Sequence, residues 1–221
     1  MKQYRFQDNN KNLSIGKLIC LARTYKKHAK EMKTTPPEKP ILFLKPASAV
    51  IFSGETIKYP SLSTCVHHEI EFGVVIKNQA SCISKDEALD FVAGYLVGLD
   101  ITARDIQTEA KQNGWPWSIA KGFDTFAPIS DVVSIEKIPD PNKVSFQLQV
   151  NEQLRQKGST RDLIWNIETL ISYISSIMTL EPGDLILTGT PQGVSEIKVG
   201  DKIFADLAGL VKLSVQVDKG F

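Results

Sequence analysis

The chain has 221 residues, which corresponds to one large domain or two small ones at about 100–200 residues per domain. Its 26 Lys and Arg against 25 Asp and Glu give a formal charge of +1, which argues against nucleic-acid binding through a general basic field. Hydrophobic residues at 42% and charged residues at 23% are typical of a folded globular protein rather than of a disordered chain.

Cysteine usage and apolar runs indicate the compartment. The three cysteines, Cys20, Cys65 and Cys82, are too scattered for a disulfide framework or a zinc site, so we expect reduced thiols. No segment approaches the roughly 18–20 consecutive apolar residues that a membrane helix needs. Residues 1–12 are polar and lack the apolar stretch of a secretory signal. We therefore expect a cytoplasmic protein without a membrane or nucleic-acid partner.

Short apolar or alternating runs predict eight strands along the chain. They cover residues 17–21, 41–44, 66–76, 91–101, 144–150, 184–187, 202–207 and 210–217. Val144, Phe146, Leu148 and Val150 alternate with more polar residues, as in a half-buried antiparallel strand.

Helical patterns are fewer and cover residues 84–91, 103–113 and 166–180. The first opens with Ser84 and has Glu87 three residues later, which is a capping pattern. Because strands outnumber helices and do not alternate regularly with them, a doubly wound parallel sheet is not expected. The prediction is a single α+β domain over residues 1–221, rich in β-structure, with a few helices packed outside a mixed sheet.

Two acidic residues interrupt the apolar run 66–76. Side chains alternate along a strand, so Glu69 and Glu71 point to one face and Ile70 and Phe72 to the other. Two like charges at this spacing repel, and burying a carboxylate costs several kcal/mol, so a cation is expected between them. Mg²⁺ and Mn²⁺ prefer such oxygen ligands. The alternative is a solvent-facing strand with ordinary exposed glutamates.

Asp100 ends the next apolar run and is a candidate third ligand. Its alternative role is to cap the helix predicted at 103–113, a role that Thr102 fills equally well. Three carboxylates on Mg²⁺ leave positions for water and for a substrate. Such a site suits a 2-oxo acid that chelates through its carboxylate and keto oxygens, with the metal stabilising an enolate beside them.

Five motifs in order identify a family. They are LKP at 44–46, HHEIEFGVVI at 67–76, GLDITARDIQ at 98–107, AKGFDTFAPI at 120–129 and LTGTPQGV at 187–194. Together they resemble the fumarylacetoacetate hydrolase family, with matching spacing from about residue 18 to 217. The compact length and the N-terminal YKKHAKEM resemble its small acylpyruvase and oxaloacetate decarboxylase branch. The resemblance implies a mixed β-sheet roll of the C-terminal domain type, usually a homodimer, and a bound Mg²⁺ or Mn²⁺.

The resemblance also implies roles for individual residues. Glu69, Glu71 and Asp100 match the metal ligands, and Lys121 matches the active-site lysine. The residues assigned to substrate binding are Arg23, Lys45, Arg104, Gln107 and Thr190. Arg104 and Gln107 are three residues apart, which independently places them on one helix face.

His28 and Glu31 are a candidate catalytic pair. On a short helix the Glu can orient the imidazole, so that its other nitrogen takes a proton from water. The resemblance places this pair on a mobile lid, here around residues 24–40, a segment that includes the proline-rich 33–40. The alternative is a solvated histidine in a basic stretch.

Two positions depart from the pattern of this branch. Thr24 stands where Asn is common and is expected to change contacts of the lid. Ser195-Glu196 stands where Gly-Pro is usual and is expected to change only a loop. Both departures make the substrate preference less transferable than the metal site.

The predicted activity is metal-dependent hydrolysis of the carbon–carbon bond of acylpyruvates to pyruvate and a carboxylate. His28 would activate the attacking water, and Lys121 would supply positive charge or a proton near the reacting oxygens. Decarboxylation of oxaloacetate through the same enolate is expected as well. The main alternative is an isomerase or tautomerase of 2-hydroxydienoates or of the oxaloacetate enol. A binding module without turnover is the alternative from another class.

Overall fold

Three β-sheets and three α-helices organise the described residues, 2–7, 12–26 and 37–220, of this computed structural model. The strands are β1 (Leu18–Ala22), β2 (Ile41–Lys45), β3 (Val50–Phe52), β4 (Thr56–Tyr59), β5 (Val66–His68), β6 (Ile70–Ile76), β7 (Val92–Leu99), β8 (Thr102–Ala103), β9 (Ala127–Ile129), β10 (Ser145–Val150), β11 (Gln153–Ser159), β12 (Leu185–Leu187), β13 (Ser195–Ile197), β14 (Lys202–Leu207) and β15 (Val211–Lys219). The helices are α1 (Arg104–Asn113), α2 (Ser118–Gly122) and α3 (Ile167–Ser175).

The sheets combine parallel and antiparallel pairs. The largest has seven strands in the order β2-β1-β12-β6-β7-β9-β3, the second has five in the order β11-β10-β14-β15-β4, and the third is β13-β5-β8. The pairs β1 with β12, β3 with β9 and β4 with β15 are parallel. This arrangement confirms the predicted β-rich α+β fold with mixed sheets.

The apolar core explains why β6 lies in the middle of the largest sheet. All seven residues of β6 are buried, and its neighbour β7 is buried over its full length. Ile70 and Phe72 both belong to the main core, as the alternation predicts. The Phe72 ring stacks on Tyr95 of β7 with centroids 5.2 Å apart.

The run 66–76 was predicted as one strand but divides at Glu69, with β5 and β6 in different sheets. The side chain of Gln156 fills the break: its Oε1 accepts a hydrogen bond from the Ile70 N–H at 3.0 Å and lies 2.9 Å from His68 Nδ1. Glu69 is thereby released from the sheet ladders. Its side chain still lies on the same side as Glu71.

Two predicted helices are shorter in the structure. The segment 84–91 forms a turn and a 3₁₀ helix, Ala88–Phe91, rather than an α-helix, and the Ser84 N–H and hydroxyl both bond to Glu87. Helix α3 ends at Ser175 instead of residue 180, because Leu180 pairs with Ala80 as a β-bridge and must be extended. None of the helices in the described ranges is long and apolar enough to cross a bilayer.

Several strands carry no clear sequence signal. Strand β11 is a mostly exposed edge strand, and β3, β8, β9 and β13 have only two or three residues each. Ser195-Glu196, expected to affect only a loop, instead forms β13 against β5. The Ser195 hydroxyl lies 2.8 Å from His68 Nε2, so this departure contributes to a partly buried polar contact.

Replacing Phe72 with Ala should lower the free energy of unfolding by about 3–5 kcal/mol, because it leaves a cavity in the core. Chemical denaturation measures this, with Leu154→Ala as control, since Leu154 is 55% exposed and should lose no more than about 0.5 kcal/mol. Equal losses in the two variants would contradict the placement of Phe72.

Candidate metal centre

The antiparallel pairing of β6 and β7 brings two acidic residues together. Ile70 pairs with Leu99, and Glu69 and Asp100 come immediately beyond this pair on either strand. The Asp100 N–H donates to the Glu69 carbonyl at 2.8 Å, which fixes the two backbones side by side.

Glu71 lies two residues further along β6, next to the turn that follows β12. The Gly189 N–H in this turn donates to Glu71 Oε2 at 2.7 Å. Gly189 has a φ of +91°, and a Cβ there would overlap the Thr24 hydroxyl, so glycine is required on both counts. Thr24 in turn donates to the Thr188 carbonyl at 2.7 Å. The turn therefore holds the Glu71 carboxylate by its backbone.

The three predicted ligands converge. One carboxylate oxygen from each of Glu69, Glu71 and Asp100 lies within 4.8 Å of the others, and all three residues are buried. Oxygen ligands lie about 2.1 Å from Mg²⁺, so these three side chains could hold one ion after an adjustment that brings their oxygens closer together. The donor set is all oxygen, as Mg²⁺ and Mn²⁺ prefer.

The two alternatives for these acids, exposed glutamates and a helix-capping Asp100, are both wrong. The glutamates are not on a solvent-facing surface, since Glu69 is 7% and Glu71 1% exposed. Asp100 does not cap α1, because the N-cap position is Ala103 and carries no side-chain cap. Thr102 does not cap it either: its hydroxyl donates to the Asp100 carbonyl at 3.2 Å.

Two buried lysines compensate the acidic cluster. Lys121, on the short helix α2, donates to Thr102 Oγ1 at 2.6 Å and Glu69 Oε2 at 3.1 Å, and also bonds to Asp100. Lys45 bonds to Asp100 Oδ1 at 2.6 Å and to the Ile101 carbonyl at 2.9 Å. Lys45 was predicted to bind substrate, but it does not line the cavity described below and is placed to orient Asp100 instead.

The pKa values of Glu69 and Glu71 are shifted in opposite directions. Burial opposes ionisation of Glu69, but Lys121 and Arg104 outweigh it and hold the pKa of Glu69 well below its usual range. Burial, and then the neighbouring Asp100 and Glu69, raise the pKa of Glu71 well above its usual range, although the Gly189 N–H opposes this. Burial likewise opposes the charge on Lys121, and the two acids overcome it and raise that pKa. Of the three acids, Glu71 is thus the one that forms no ion pair with a described residue.

A cavity of about 310 Å³ opens onto Glu69 and Glu71. The polar and charged residues that line it are Arg23, Glu69, Glu71, Arg104, Gln107, Thr108, Lys111, Lys121 and Thr190. Four of the five predicted substrate-binding residues are in this set. Arg104 bonds to Glu69, and its Nη1 donates to Gln107 Oε1 at 2.6 Å, so the two do share a helix face.

Thr190 reaches the cavity but its hydroxyl is already engaged. It donates to the Ile70 carbonyl at 2.8 Å and accepts from Gln156 Nε2 at 2.8 Å. A hydroxyl carries one proton, so Thr190 can donate to a substrate carboxylate only by releasing Ile70. Its contact with substrate stays a prediction.

The predicted catalytic pair, His28 and Glu31, lies outside the described residues. The first residues of the expected lid are described and are firmly packed: Thr24 and Tyr25 are each 1% exposed, and Tyr25 forms a bridge with Leu163. The lid itself stays a prediction.

Sequence reasoning did not single out Lys111, which also lines the cavity. Its Nζ donates to Gln107 Oε1 at 3.2 Å and lies 5.2 Å from the centroid of the Trp117 ring. Burial, and then Arg104 and Arg23, lower the pKa of Lys111 to about 8. Its spacing from Arg104 and Gln107 is the helical i, i+3, i+7 pattern, which was the available signal.

Comparisons with known proteins identify the family of this chain. Residues 17–218 match the fumarylacetoacetate (FAA) hydrolase C-terminal domain. The mitochondrial oxaloacetate tautomerase FAHD1 of Arabidopsis thaliana is 45% identical over 203 residues, covering 92% of this chain and 91% of the relative. FAHD1 of Homo sapiens is 44% identical over 215 residues, covering 97% of this chain and 95% of the relative.

Solved structures share the whole fold. A fumarylpyruvate hydrolase from Pseudomonas aeruginosa, in complex with Mn²⁺ and pyruvate, has a TM-score of 0.93 and 35% identity, covering 99% of this chain and 96% of that one. This similarity confirms the predicted sheet roll. With the family match over nearly its full length, and the acidic cluster in place, the chain belongs to the fumarylacetoacetate hydrolase family.

Proposed function

We propose that this chain is a metal-dependent enzyme that acts on small 2-oxo acids through an enolate. The observation that carries the proposal is the convergence of Glu69, Glu71 and Asp100 at one cavity. When bound, Mg²⁺ or Mn²⁺ supplies the positive charge that stabilises an enolate oxygen beside a carboxylate. The Mn²⁺ and pyruvate in the complex of the Pseudomonas hydrolase support both the ion and the substrate class.

Lys121 and Arg104 at the cavity bind the reacting groups and orient them. Lys121 Nζ carries a proton within bonding distance of Glu69 and Thr102, so it can stabilise a negative oxygen or return a proton to it. Arg104 holds Glu69 and Gln107 together, and so keeps that carboxylate ionised and fixed. Because these groups are held in place before substrate binds, they need little reorganisation during reaction.

Tautomerisation of oxaloacetate is the reaction that we place first. It exchanges one proton between C3 and the oxygen on C2, and it needs no nucleophilic water. The FAHD1 relatives, at 43–45% identity, are named for this reaction. It corresponds to the alternative activity expected from the sequence rather than to the main one.

Acylpyruvate hydrolysis, with decarboxylation of oxaloacetate at the same site, is the second candidate. It is supported by the fumarylpyruvate hydrolase relative. Its water must be activated by His28 with Glu31, which lie outside the described residues. The balance between the reactions therefore depends on that pair.

An apolar groove next to the cavity supports a homodimer. It is lined by residues 41–44 and 115–118, including Leu44 at 49% and Trp115 at 56% exposed, and Ile119 beside it is 64% exposed. Exposed apolar groups in such a cluster favour burial against a partner. A second copy of the chain is the partner that the family resemblance implies.

The cytoplasmic location and the absence of a nucleic-acid partner stay predictions. The FAHD1 relatives of plants and mammals are named as mitochondrial proteins.

Glu71→Gln should abolish stabilisation by Mg²⁺ plus oxalate. At about 100 times its Kd the ligand adds about 2.7 kcal/mol to the wild type, or roughly 5–10 °C in Tm. In EDTA the variant should melt within about 2 °C of the wild type, because the raised pKa of Glu71 makes the neutral amide a close substitute. Differential scanning fluorimetry measures both, with the exposed Glu109→Gln as control. A ligand shift retained by Glu71→Gln would refute the metal assignment.

His28→Ala should separate the two reaction types. We expect about 10²–10⁴-fold loss of acetylpyruvate hydrolysis, the usual contribution of a general base, and less than about tenfold loss with oxaloacetate. Product analysis over a panel of 2-oxo acids with added Mg²⁺ tests this, and Glu69→Gln should lose every reaction. Equal loss with both substrates in His28→Ala would remove the assigned role of water activation.

Ile119→Asp should convert a dimer to a monomer, because it places a charge in the apolar groove region. Sedimentation should give twice the 24.5 kDa chain mass for the wild type. The control Leu62→Asp should give the same mass, because Leu62 is 74% exposed and lies outside the groove. A monomeric wild type would rule out the dimer.

A further inference from the structure

The four cations that line the cavity fall into two pairs. Arg104 and Lys121 are bonded to carboxylates of the acidic cluster. Arg23 and Lys111 line the same cavity, and no carboxylate within residues 2–7, 12–26 and 37–220 pairs with either. Among the described residues of the lining, four cations face two carboxylates, Glu69 and Glu71, so this part of the lining has a formal surplus of positive charge. A bound divalent cation would increase this surplus.

Lys111 is held at the cavity by neutral contacts. Its ammonium donates to Gln107 Oε1 and lies over the Trp117 ring, which itself packs against Phe43 with centroids 5.6 Å apart. A cation over an aromatic face is favoured but remains free to bond to an anion. The residue as a whole is exposed, so it lies where a substrate would extend toward solvent.

The electrostatic surroundings of Lys111 favour the binding of an anion. Burial, Arg104 and Arg23 together lower its pKa to about 8, against an ordinary value near 10.4. The ammonium is still mostly protonated at neutral pH. A carboxylate bound beside it would relieve the repulsion from the two arginines.

We propose that Lys111, with Arg23 on the same cavity, binds the far carboxylate of a dicarboxylic 2-oxo acid whose near end lies at the acidic cluster. This assignment rests on the proposed function, because it takes the near end of the substrate as given. It identifies a specificity-determining residue: the cavity selects 2-oxo acids that carry a second negative charge.

The same contact influences which reaction oxaloacetate undergoes. In tautomerisation the enol O–H loses its proton, the C2=C3 electron pair takes a proton at C3, and both carboxylates keep their charge. In decarboxylation the C3–C4 bond breaks, its electron pair enters the C2=C3 enolate, and the far carboxylate leaves as neutral CO₂. Only decarboxylation removes the charge that Lys111 holds.

An interaction that weakens in the transition state slows the step concerned. The Lys111 ion pair is retained throughout tautomerisation and is lost as CO₂ forms. Lys111 therefore favours tautomerisation over decarboxylation, while it tightens the binding of either form of the substrate.

Calorimetric binding with Mg²⁺ present tests the subsite directly. The ligands are 2-oxoglutarate and 2-oxovalerate, which have the same chain length and differ in the terminal carboxylate, with oxalate as the ligand without a tail. Lys111→Met should weaken 2-oxoglutarate about tenfold, or about 1.4 kcal/mol, and change 2-oxovalerate and oxalate less than twofold. Lys111→Arg should keep most of the preference. Lys157→Met, which removes an exposed lysine outside the cavity lining, should match the wild type.

The second readout is how oxaloacetate divides between decarboxylation and tautomerisation. The ratio of CO₂ released to enol–keto exchange should rise several-fold in Lys111→Met and stay unchanged in Lys157→Met. If the wild type binds oxalate with Mg²⁺ but Lys111→Met weakens the charged and uncharged tails equally, the subsite is refuted and the proposed function stands. If the wild type does not bind oxalate with Mg²⁺, the proposed function itself is refuted, and this inference with it.

Discussion

The structure depends on the placement of three buried carboxylates within bonding reach of one another. Moving a single carboxylate out of water costs several kcal/mol even after relaxation, and neighbouring like charges add to this. Lys45, Lys121 and Arg104 compensate two of the acids, Glu69 and Asp100. Within the described residues, Glu71 accepts a backbone N–H, from Gly189, and forms no ion pair. In the described part of the chain the cluster therefore has one acid without an ion pair, and a divalent cation at this position would compensate it.

The main role of the turn at Gly189 and Thr190 is to hold neighbouring residues in position. Gly189 holds Glu71, and Thr24 packs where a side chain on Gly189 would project. Gln156 connects the turn to the strand break, since its amide bonds to Ile70, Thr190 and Pro191. A motif that the sequence suggests as a substrate contact thus also positions Glu71, a candidate metal ligand.

The acidic cluster could be predicted from the sequence because its determinants are local. The two-residue period of a strand places Glu69 with Glu71, and Asp100 marks the end of an apolar run. Lys45 and Gln156 could not be assigned in the same way. Lys45 reaches a carboxylate 55 positions away and Gln156 reaches a backbone N–H 86 positions away, so their roles arise only from tertiary packing. The role of Lys111 could be predicted in part, because the helical period places it on the same face of α1 as Arg104.

The cavity thus has two electrostatically opposite regions. The carboxylates at Glu69 and Glu71 suit a cation, whereas Arg23 and Lys111, which pair with no carboxylate that the structure describes, suit an anion. All of the reactions proposed share an enolate, which a cation held by the first region would stabilise, so that region alone does not distinguish hydrolase, decarboxylase and tautomerase. They differ in what happens to the far end of the substrate. The choice of reaction is therefore expected to depend on residues away from the metal, namely Lys111 and Arg23 for the charge of that end and His28 with Glu31 for water.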